Sequence, residues 1–221
     1  MYGNPIYYAA TPAPCKSLPT IEVLGEGTVA AAPDRALIIL GAVTEGIALQ
    51  PVQSENAQTV TNIIHALQDL NIPRENIQTN DYRIEIQYDF PDGQQIFKGY
   101  KVTHLLQITL DEVEQTGNVV DTAVSHGANT VSSIQFSIVQ KQRFENQALS
   151  LAIQNAQLKA IAISHTLGAS IAPLPSKVQE LPRGTEPIPF RRALQSDSIV
   201  TPIEPGQLTI YAAVRVWYLL V

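Results

Sequence analysis

Two periods of hydrophobic residues alternate along the chain. In some segments apolar residues recur at every second position, which is typical of β-strands, and in others at every third or fourth position, which is typical of amphipathic helices. The helical pattern occupies three segments, near 51–70, 114–126 and 144–167, with strand patterns between them. The predicted order is β-β-α-β-β-α-β-α-β-β. Because neighbouring strands follow each other through short turns, we predict an antiparallel or mixed β-sheet built from hairpins with helices packed on it, which is an α+β fold.

Two of these segments have patterns that go beyond simple periodicity. Between residues 77 and 90, apolar and polar residues alternate strictly, with Tyr82, Ile84, Ile86 and Tyr88 against Arg83, Glu85 and Gln87. A turn and a second long strand follow, so this strand is predicted to start a hairpin. The longest helix has an alanine at every fourth position, which permits close approach to a sheet or another helix. These alanines are Ala148, Ala152, Ala156 and Ala160.

The segment Ile21–Gly41, IEVLGEGTVAAAPDRALIILG, contains the written form of a dinucleotide fingerprint, G-x-G-x-x-A. That fingerprint needs its glycines to open a helix, whose N-terminus holds the pyrophosphate. Here Pro33 and Asp34 form a turn and a second apolar strand follows, so we predict a hairpin and no helix. Glycines inside a strand mark a bulge or a close backbone approach. We therefore interpret Gly25 and Gly27 as structural positions and predict no cofactor.

No catalytic or metal-binding constellation emerges from the residues. The four histidines have none of the short spacings that hold a metal ion, and the nucleophile elbow G-x-S-x-G is absent. Asp34 is the acid most clearly placed in a motif, and we expect its carboxylate to accept hydrogen bonds from backbone N–H groups at the Pro33 turn. We therefore predict that the chain is not an enzyme. A site shared between subunits remains an open alternative, built from His65, His104, His126 and His165.

Charge and hydropathy limit the classes of partner. The 221 residues include 14 Lys and Arg against 20 Asp and Glu, a net charge of -6, whereas proteins that bind nucleic acid usually show a basic footprint. The most apolar stretch, 207–221, carries Arg215 and alternates with a period of two, so no membrane span is predicted. The N-terminus lacks the pattern of a secretory signal. We therefore expect a cytoplasmic location, with a cell or particle surface reached without a signal as the alternative.

Two segments outside the regular elements are candidates for contacts with other chains. Residues 1–19 are predicted to form an extended Pro/Tyr-rich arm, and 20–221 a single domain with a proline-rich loop at about 182–206. Cys15 in the arm is the only cysteine, so it is either an incidental thiol or the site of an intermolecular disulfide. Three tyrosines suit docking of the arm, and three arginines mark either a solvated loop or a partner surface. These are Tyr2, Tyr7 and Tyr8, and Arg183, Arg191 and Arg192.

Six segments in sequence order resemble the SIMPL-domain family. The glycine segment matches the pattern V-x-G-x-G-x-V-x-x-x-P-D-x-A, and the others are NIPRENIQTNDYRI, YKVTHLLQITL, VVDTAVSHGANTVSSIQF, ALSLAIQNAQLKAIAISHTLG and IEPGQLTIYAAVRVWYLL. The similarity covers residues 20–221. It implies an α+β fold, assembly into rings or larger oligomers, and an association with oxidative-stress defence or surface antigens. It supplies no reaction.

These observations favour a non-enzymatic, self-assembling scaffold or a surface or stress-associated oligomer. Open strand edges and a free arm are physical routes to association by strand addition. The alternative is a module that binds a partner protein or a small apolar ligand through the proline-rich loop.

Overall fold

The computed structural model describes residues 19–182 and 201–221. In chain order, the elements are β1 (Thr20–Ala31), β2 (Arg35–Gly46), α1 (Leu49–Asp69), β3 (Ile77–Asp89), β4 (Ile96–Leu110), α2 (Thr116–Ser125), β5 (Thr130–Ser137), α3 (Lys141–Thr166), β6 (Lys177–Glu180) and β7 (Leu208–Leu219). Short 3₁₀ segments lie at Arg74–Asn76, Pro91–Gly93 and Val113–Gln115. Both sheets are antiparallel, so the predicted α+β class is confirmed, and the predicted order of elements is matched.

The chain folds into two compact units, and the larger contains Val29–Glu145 together with the described residues 201–210. Its sheet has the strand order β3-β4-β2-β5. Helices α1 and α2 pack on this sheet because each presents an apolar face at helical spacing. The resulting core contains Ile38, Leu40, Ile63, Leu67, Leu106, Ile108 and Val119, all at most 1% exposed.

Helix α1 ends where the sequence predicted, and the reason is local. Asn71 follows the helix with φ of 63°, in the left-handed region that few residues other than glycine and asparagine adopt readily. The N–H of Ile72 then donates to the carbonyl of Leu67 at 3.2 Å, and the N–H of Asn71 donates to Gln68 at 2.9 Å. These two bonds satisfy carbonyls that the end of a helix leaves open, and they turn the chain towards β3.

The smaller unit contains the described residues 19–28, 146–182 and 211–221. Its sheet has the order β1-β7-β6, and helix α3 packs on it through the alanine stripe, which is fully buried. The prediction that β1 and β2 pair as a hairpin is wrong, because β1 pairs with β7 while β2 pairs with β4 and β5. Alternation identified both strands correctly but carries no information about which strand is the partner.

The two glycines of β1 lie where its backbone runs against the backbone of α3. A Cβ atom added at Gly25 would lie 2.0 Å from the carbonyl oxygen of Ala152, and one at Gly27 would lie 2.1 Å from that of Ala148. Two residues of strand advance about 6.8 Å and four residues of helix about 6.0 Å, so the G-x-G spacing matches the spacing of the alanines. Since β1 continues through both glycines, the close approach of two backbones accounts for them. We call this contact the glycine–alanine seam.

Asp34 connects the start of β2 with the end of β5. Its N–H donates to the carbonyl of Ser137 at 3.1 Å, and its carboxylate Oδ1 accepts from the N–H of Val139 at 2.7 Å. The expected donors were N–H groups of the Pro33 turn, and the structure gives instead a donor 105 residues further along the chain. The motif residue therefore holds two segments of the larger unit together.

Candidate functional site

The hairpin formed by β3 and β4 exposes apolar side chains that its sequence pattern suggests are buried. Four residues on one face of β3 are between 41% and 51% exposed, and we call them the apolar row: Tyr82, Ile84, Ile86 and Tyr88. Monomeric proteins rarely leave such contiguous apolar surface uncovered. The apolar row is therefore the strongest candidate for a contact surface in the described part of the larger unit.

The tip of the hairpin extends beyond the strand and the helix that flank its base. The pairing of β2 with β4 ends at Gly46 and Tyr100, so the residues Ile96–Gly99 have no partner in β2. Helix α1 starts at the same level, since a Cβ atom added at Gly46 would lie 2.7 Å from the side chain of Val52. The tip of the hairpin therefore lies past both the neighbouring strand and the first turn of the helix.

The exposed row was not recognised from the sequence, although one signal was available. Strict alternation predicted that one face of β3 is apolar, and such a face is normally buried. Strand length was that signal for the tip, because β4 spans 15 residues and β2 only 12. The tip of a long hairpin beside a shorter strand has no cover from that strand.

Aromatic contacts hold the tip of the apolar row in one arrangement. The rings of Tyr88 and Phe97 meet edge to face with centroids 6.4 Å apart, and Phe97 meets Tyr100 at 5.4 Å. Edge-to-face pairs at these distances contribute about 0.5–1.5 kcal/mol each beyond the area they bury. Phe90 and Ile96, beyond this cluster, are more than half exposed. The tip therefore presents an apolar surface whose shape is set before any partner arrives.

The inner end of the apolar row is fixed by polar contacts. The ring of Tyr82 packs edge to face on His104 at 5.1 Å, and its hydroxyl accepts a hydrogen bond from Nε2 of Gln53 at 3.1 Å. The hydroxyl of Thr79 lies 3.3 Å from Nε2 of His104. Burial lowers the pKa of His104 from its ordinary value, so the ring is neutral at neutral pH. It supports Tyr82 and contributes no charge to the surface.

The opposite face of β3 is charged. Arg83 forms an ion pair with Asp81 at 2.8 Å on the same strand. Glu85 lies opposite Lys101 of β4 in the strand register and forms no hydrogen bond or ion pair with any residue that the structure describes. The strand thus has one apolar face, one face with charges of both signs, and a backbone edge between them.

The edges of the two sheets differ in their protection. At the edge strand β1, Asn155 Oδ1 accepts from the N–H of Glu26 at 3.2 Å and Lys159 Nζ donates to the carbonyl of Leu24 at 2.8 Å. Side chains of α3 thereby occupy backbone groups with which another chain would pair. Strand β6 has only 4 residues and β5 has 8, whereas β3 has 13 and no strand beside its outer edge in the described part of the chain.

Several predicted contact residues lie outside the described ranges, and their roles stay predictions. These are Tyr2, Tyr7, Tyr8 and Cys15 of the arm, and Arg183, Arg191 and Arg192 of the loop. The predicted boundary between an arm and a single domain likewise stays a prediction.

The histidines are only partly brought together. His65 and His126 line one pocket in the larger unit with Asp69. Among residues 19–182 and 201–221, no group of three or more His, Cys, Asp or Glu side chains is placed to hold a metal ion. Nor does any helix in those ranges combine the length and apolar character needed to cross a membrane.

The fold and the hairpin define a class of protein: an α+β protein with two antiparallel sheets and, within the described ranges, a long edge strand that no other strand covers. Comparison with known families is more specific. Residues 21–218 match the model of the SIMPL family, described as a protein of unknown function (DUF541), and the chain belongs to this family. No catalytic activity is assigned to the family by that description.

Relatives of this chain are found in several bacteria. The uncharacterized protein YggE of Escherichia coli (strain K12) is 23% identical over 197 residues, which cover 89% of this chain and 79% of YggE. The 26 kDa periplasmic immunogenic protein of Brucella melitensis is 26% identical over 177 residues, which cover 78% of this chain and 70% of that protein.

The expected cytoplasmic location is contradicted by the name of the Brucella relative, which is periplasmic. The expectation rested on the absence of one pattern in the first residues. Such an absence does not determine where a protein resides.

Proposed function

We propose that this chain is a non-enzymatic, self-associating protein and that β3 is the surface through which two copies meet. The observation that carries this proposal is the apolar row on a strand of 13 residues whose outer edge has no neighbouring strand among the described residues. A second strand added to this edge would satisfy its backbone N–H and C=O groups and place apolar side chains of the two copies side by side. The assembly that the family resemblance implies agrees with this use of the edge.

Many small contributions along the edge would drive this association. Each apolar pair of side chains facing each other across the new strand pair contributes about 0.2–1 kcal/mol, and each added backbone hydrogen bond contributes about 0.5–1.5 kcal/mol. The loss of translational and rotational freedom on association costs about 4–15 kcal/mol. Contacts along the whole edge are therefore needed to outweigh this cost. The mass in solution is expected to rise with protein concentration.

The proposal also concerns location and process. The name of the Brucella relative supports a location outside the cytoplasm, where a scaffold would serve the stress-associated or surface role that the resemblance implies. Binding of a partner protein or a small apolar ligand through the proline-rich loop stays an alternative.

Absolute mass in solution tests the proposal. We expect light scattering on a sizing column to give a multiple of the chain mass of 24.1 kDa for the full chain. Ile86→Lys places a charge in the middle of the row and is expected to shift the mass to that of a single chain. The matched control is Val131→Lys, at a residue of similar exposure on β5, which should leave the mass unchanged. A full chain that remains a single chain at the highest concentration measured refutes self-association.

A further inference from the structure

The regular part of the edge strand is symmetric about Ile84. Residues Asp81–Gln87 pair without interruption with Gly99–Leu105. The register shifts immediately before this stretch, between Thr79 and Asp81, and immediately after it, between Gln87 and Tyr88. Register shifts of this kind interrupt the ladder and increase the local twist. The straight edge available to another strand is therefore seven residues long, with Ile84 at its centre.

We propose, building on the self-association proposed above, that two copies pair β3 against β3 in antiparallel register with Ile84 of one copy opposite Ile84 of the other. With a two-fold axis through this pair, every other contact occurs twice: if one residue of the first copy lies opposite a second residue of the other copy, the reverse contact is also present. On the apolar face Tyr82 then lies opposite Ile86, so the two apolar rows form one continuous surface. On the charged face Arg83 of each copy lies opposite Glu85 of the other.

Charge selects this register among the symmetric alternatives. Centring the pair on Arg83 places arginine opposite arginine, and centring it on Glu85 places glutamate opposite glutamate. Like charges directly opposite each other destabilise a strand pair. Centres at Tyr82 or Ile86 avoid this repulsion, but they bring a register shift into the middle of the new ladder. Only the centre at Ile84 combines opposite charges with an uninterrupted edge.

Registers in which one strand slips by a single residue, so that the two-fold axis falls between two residues, are excluded on different grounds. In an antiparallel pair, residues directly opposite each other project to the same face, and a shift by one residue exchanges the two faces. The apolar row of one copy would then lie beside the charged face of the other.

The charges already present on the hairpin suit the proposed pairing. Glu85 lies opposite Lys101 on β4 and has no ion pair within the described ranges, so its carboxylate is available to a cation from the other side. In the proposed dimer it lies between Lys101 of its own chain and Arg83 of the second copy. Each Arg83 in turn keeps Asp81 beside it, at 2.8 Å in the single chain. Cation, anion and cation therefore follow each other across three of the four central strands, and the row ends at Thr103 of the second copy, which lies opposite Arg83.

Two charge-reversal variants test the register by their behaviour alone and mixed. Arg83→Glu leaves glutamate at positions 83 and 85, and Glu85→Arg leaves arginine at both. Because these positions lie opposite each other in the proposed dimer, each variant places like charges face to face when it pairs with itself. We expect the dissociation constant of each variant to be at least about tenfold higher than that of the wild type. In an equimolar mixture, a dimer of one copy of each variant again has opposite charges at both contacts between positions 83 and 85. We expect the dissociation constant of this mixed dimer to be within about threefold of the wild-type value. Sedimentation of the separate and mixed variants, checked for folding by circular dichroism, measures this.

A cross-link at the two-fold axis gives a second and independent readout. In the background Cys15→Ser, Ile84→Cys places the only two cysteines of a dimer directly opposite each other. Opposite residues have Cα atoms about 4.5–5.5 Å apart, within the range of a disulfide. We expect copper phenanthroline in air to convert this variant to a covalent dimer on a non-reducing gel. The matched control, Val131→Cys in the same background, should remain a single chain.

The outcomes separate the register from the proposed function. The register is refuted if the wild type assembles but the mixed charge variants do not regain association and the Ile84→Cys variant is not cross-linked. Self-association would still hold in that case. A wild-type chain of single mass overturns both. Recovery on mixing together with a covalent dimer supports the register.

Discussion

The glycine–alanine seam makes a quantitative prediction about stability. In Gly27→Ala the new Cβ atom would lie 2.1 Å from the carbonyl oxygen of Ala148 and 2.6 Å from the backbone nitrogen of Ala152. Restoring an ordinary van der Waals distance requires strand and helix to separate by about 1.3 Å, and backbone atoms cannot rotate away as a flexible side chain can. Overpacking a core costs about 1–3 kcal/mol where side chains can adjust. We therefore expect a loss of more than about 3 kcal/mol, a large part of the stability of a domain.

Trp217 provides the assay. It is the only tryptophan, it lies on β7 of the smaller unit, and its Nε1 donates to the carboxylate of Glu22 on β1 at 3.1 Å. Its fluorescence during urea unfolding therefore reports on the unit that contains the seam. The matched control is Leu24→Ala on the same strand, at a side chain 48% exposed, which should cost less than about 1 kcal/mol. If Gly27→Ala also costs less than about 1 kcal/mol, the close approach of the backbones is not what requires glycine.

Two further predictions concern the larger unit. Asn56→Ala should lower the free energy of unfolding by about 1–3 kcal/mol in urea titrations, because the buried Asn56 donates to the carbonyls of Ala42 and Val102. The control, Asn62→Ala on the exposed face of α1, should have little effect. Hydrogen bonds from the hydroxyl and the N–H of Thr201 lower the pKa of Asp121 in the folded chain. The stability that these bonds contribute is complete above the pKa of the unfolded chain, and it is lost as the pH falls through the lower pKa of the folded chain. The difference in unfolding midpoint between wild type and Asp121→Asn should accordingly be constant near neutral pH and disappear in acid; a difference that persists unchanged at low pH contradicts this assignment.

Much of the fold could be predicted because its elements have strong local patterns. The apolar face of α1 and the alternation of β7 each identify one type of element, and the structure buries Ile63, Leu67, Val214 and Val216 as those patterns require. The end of α1 at Asn71 is also a local event, since the backbone conformation of one residue sets it.

What could not be predicted depends on contacts between distant segments. The pairing of β1 with β7 rather than β2 is one case, since both strands have the same alternation and only their partners differ. The donor to Asp34 is another, because Val139 is far away in sequence. The exposure of Ile84 and Ile86 is a third: their spacing shows that they share a face, but burial depends on whether another element covers that face.

The glycine–alanine seam also limits how long this unit of the fold can be. Its two periods differ, about 6.8 Å on the strand and about 6.0 Å on the helix, so the small residues drift out of step by about 0.8 Å with each repeat. Over the four repeats from Ala148 to Ser164, both of them buried, the drift reaches about 3 Å, close to the spacing of neighbouring strand residues. The small residues of the strand therefore lie level with those of the helix only over a limited length. Extending β1 and α3 with more glycine and alanine would bring side chains onto backbone, and the strand would have to bend away.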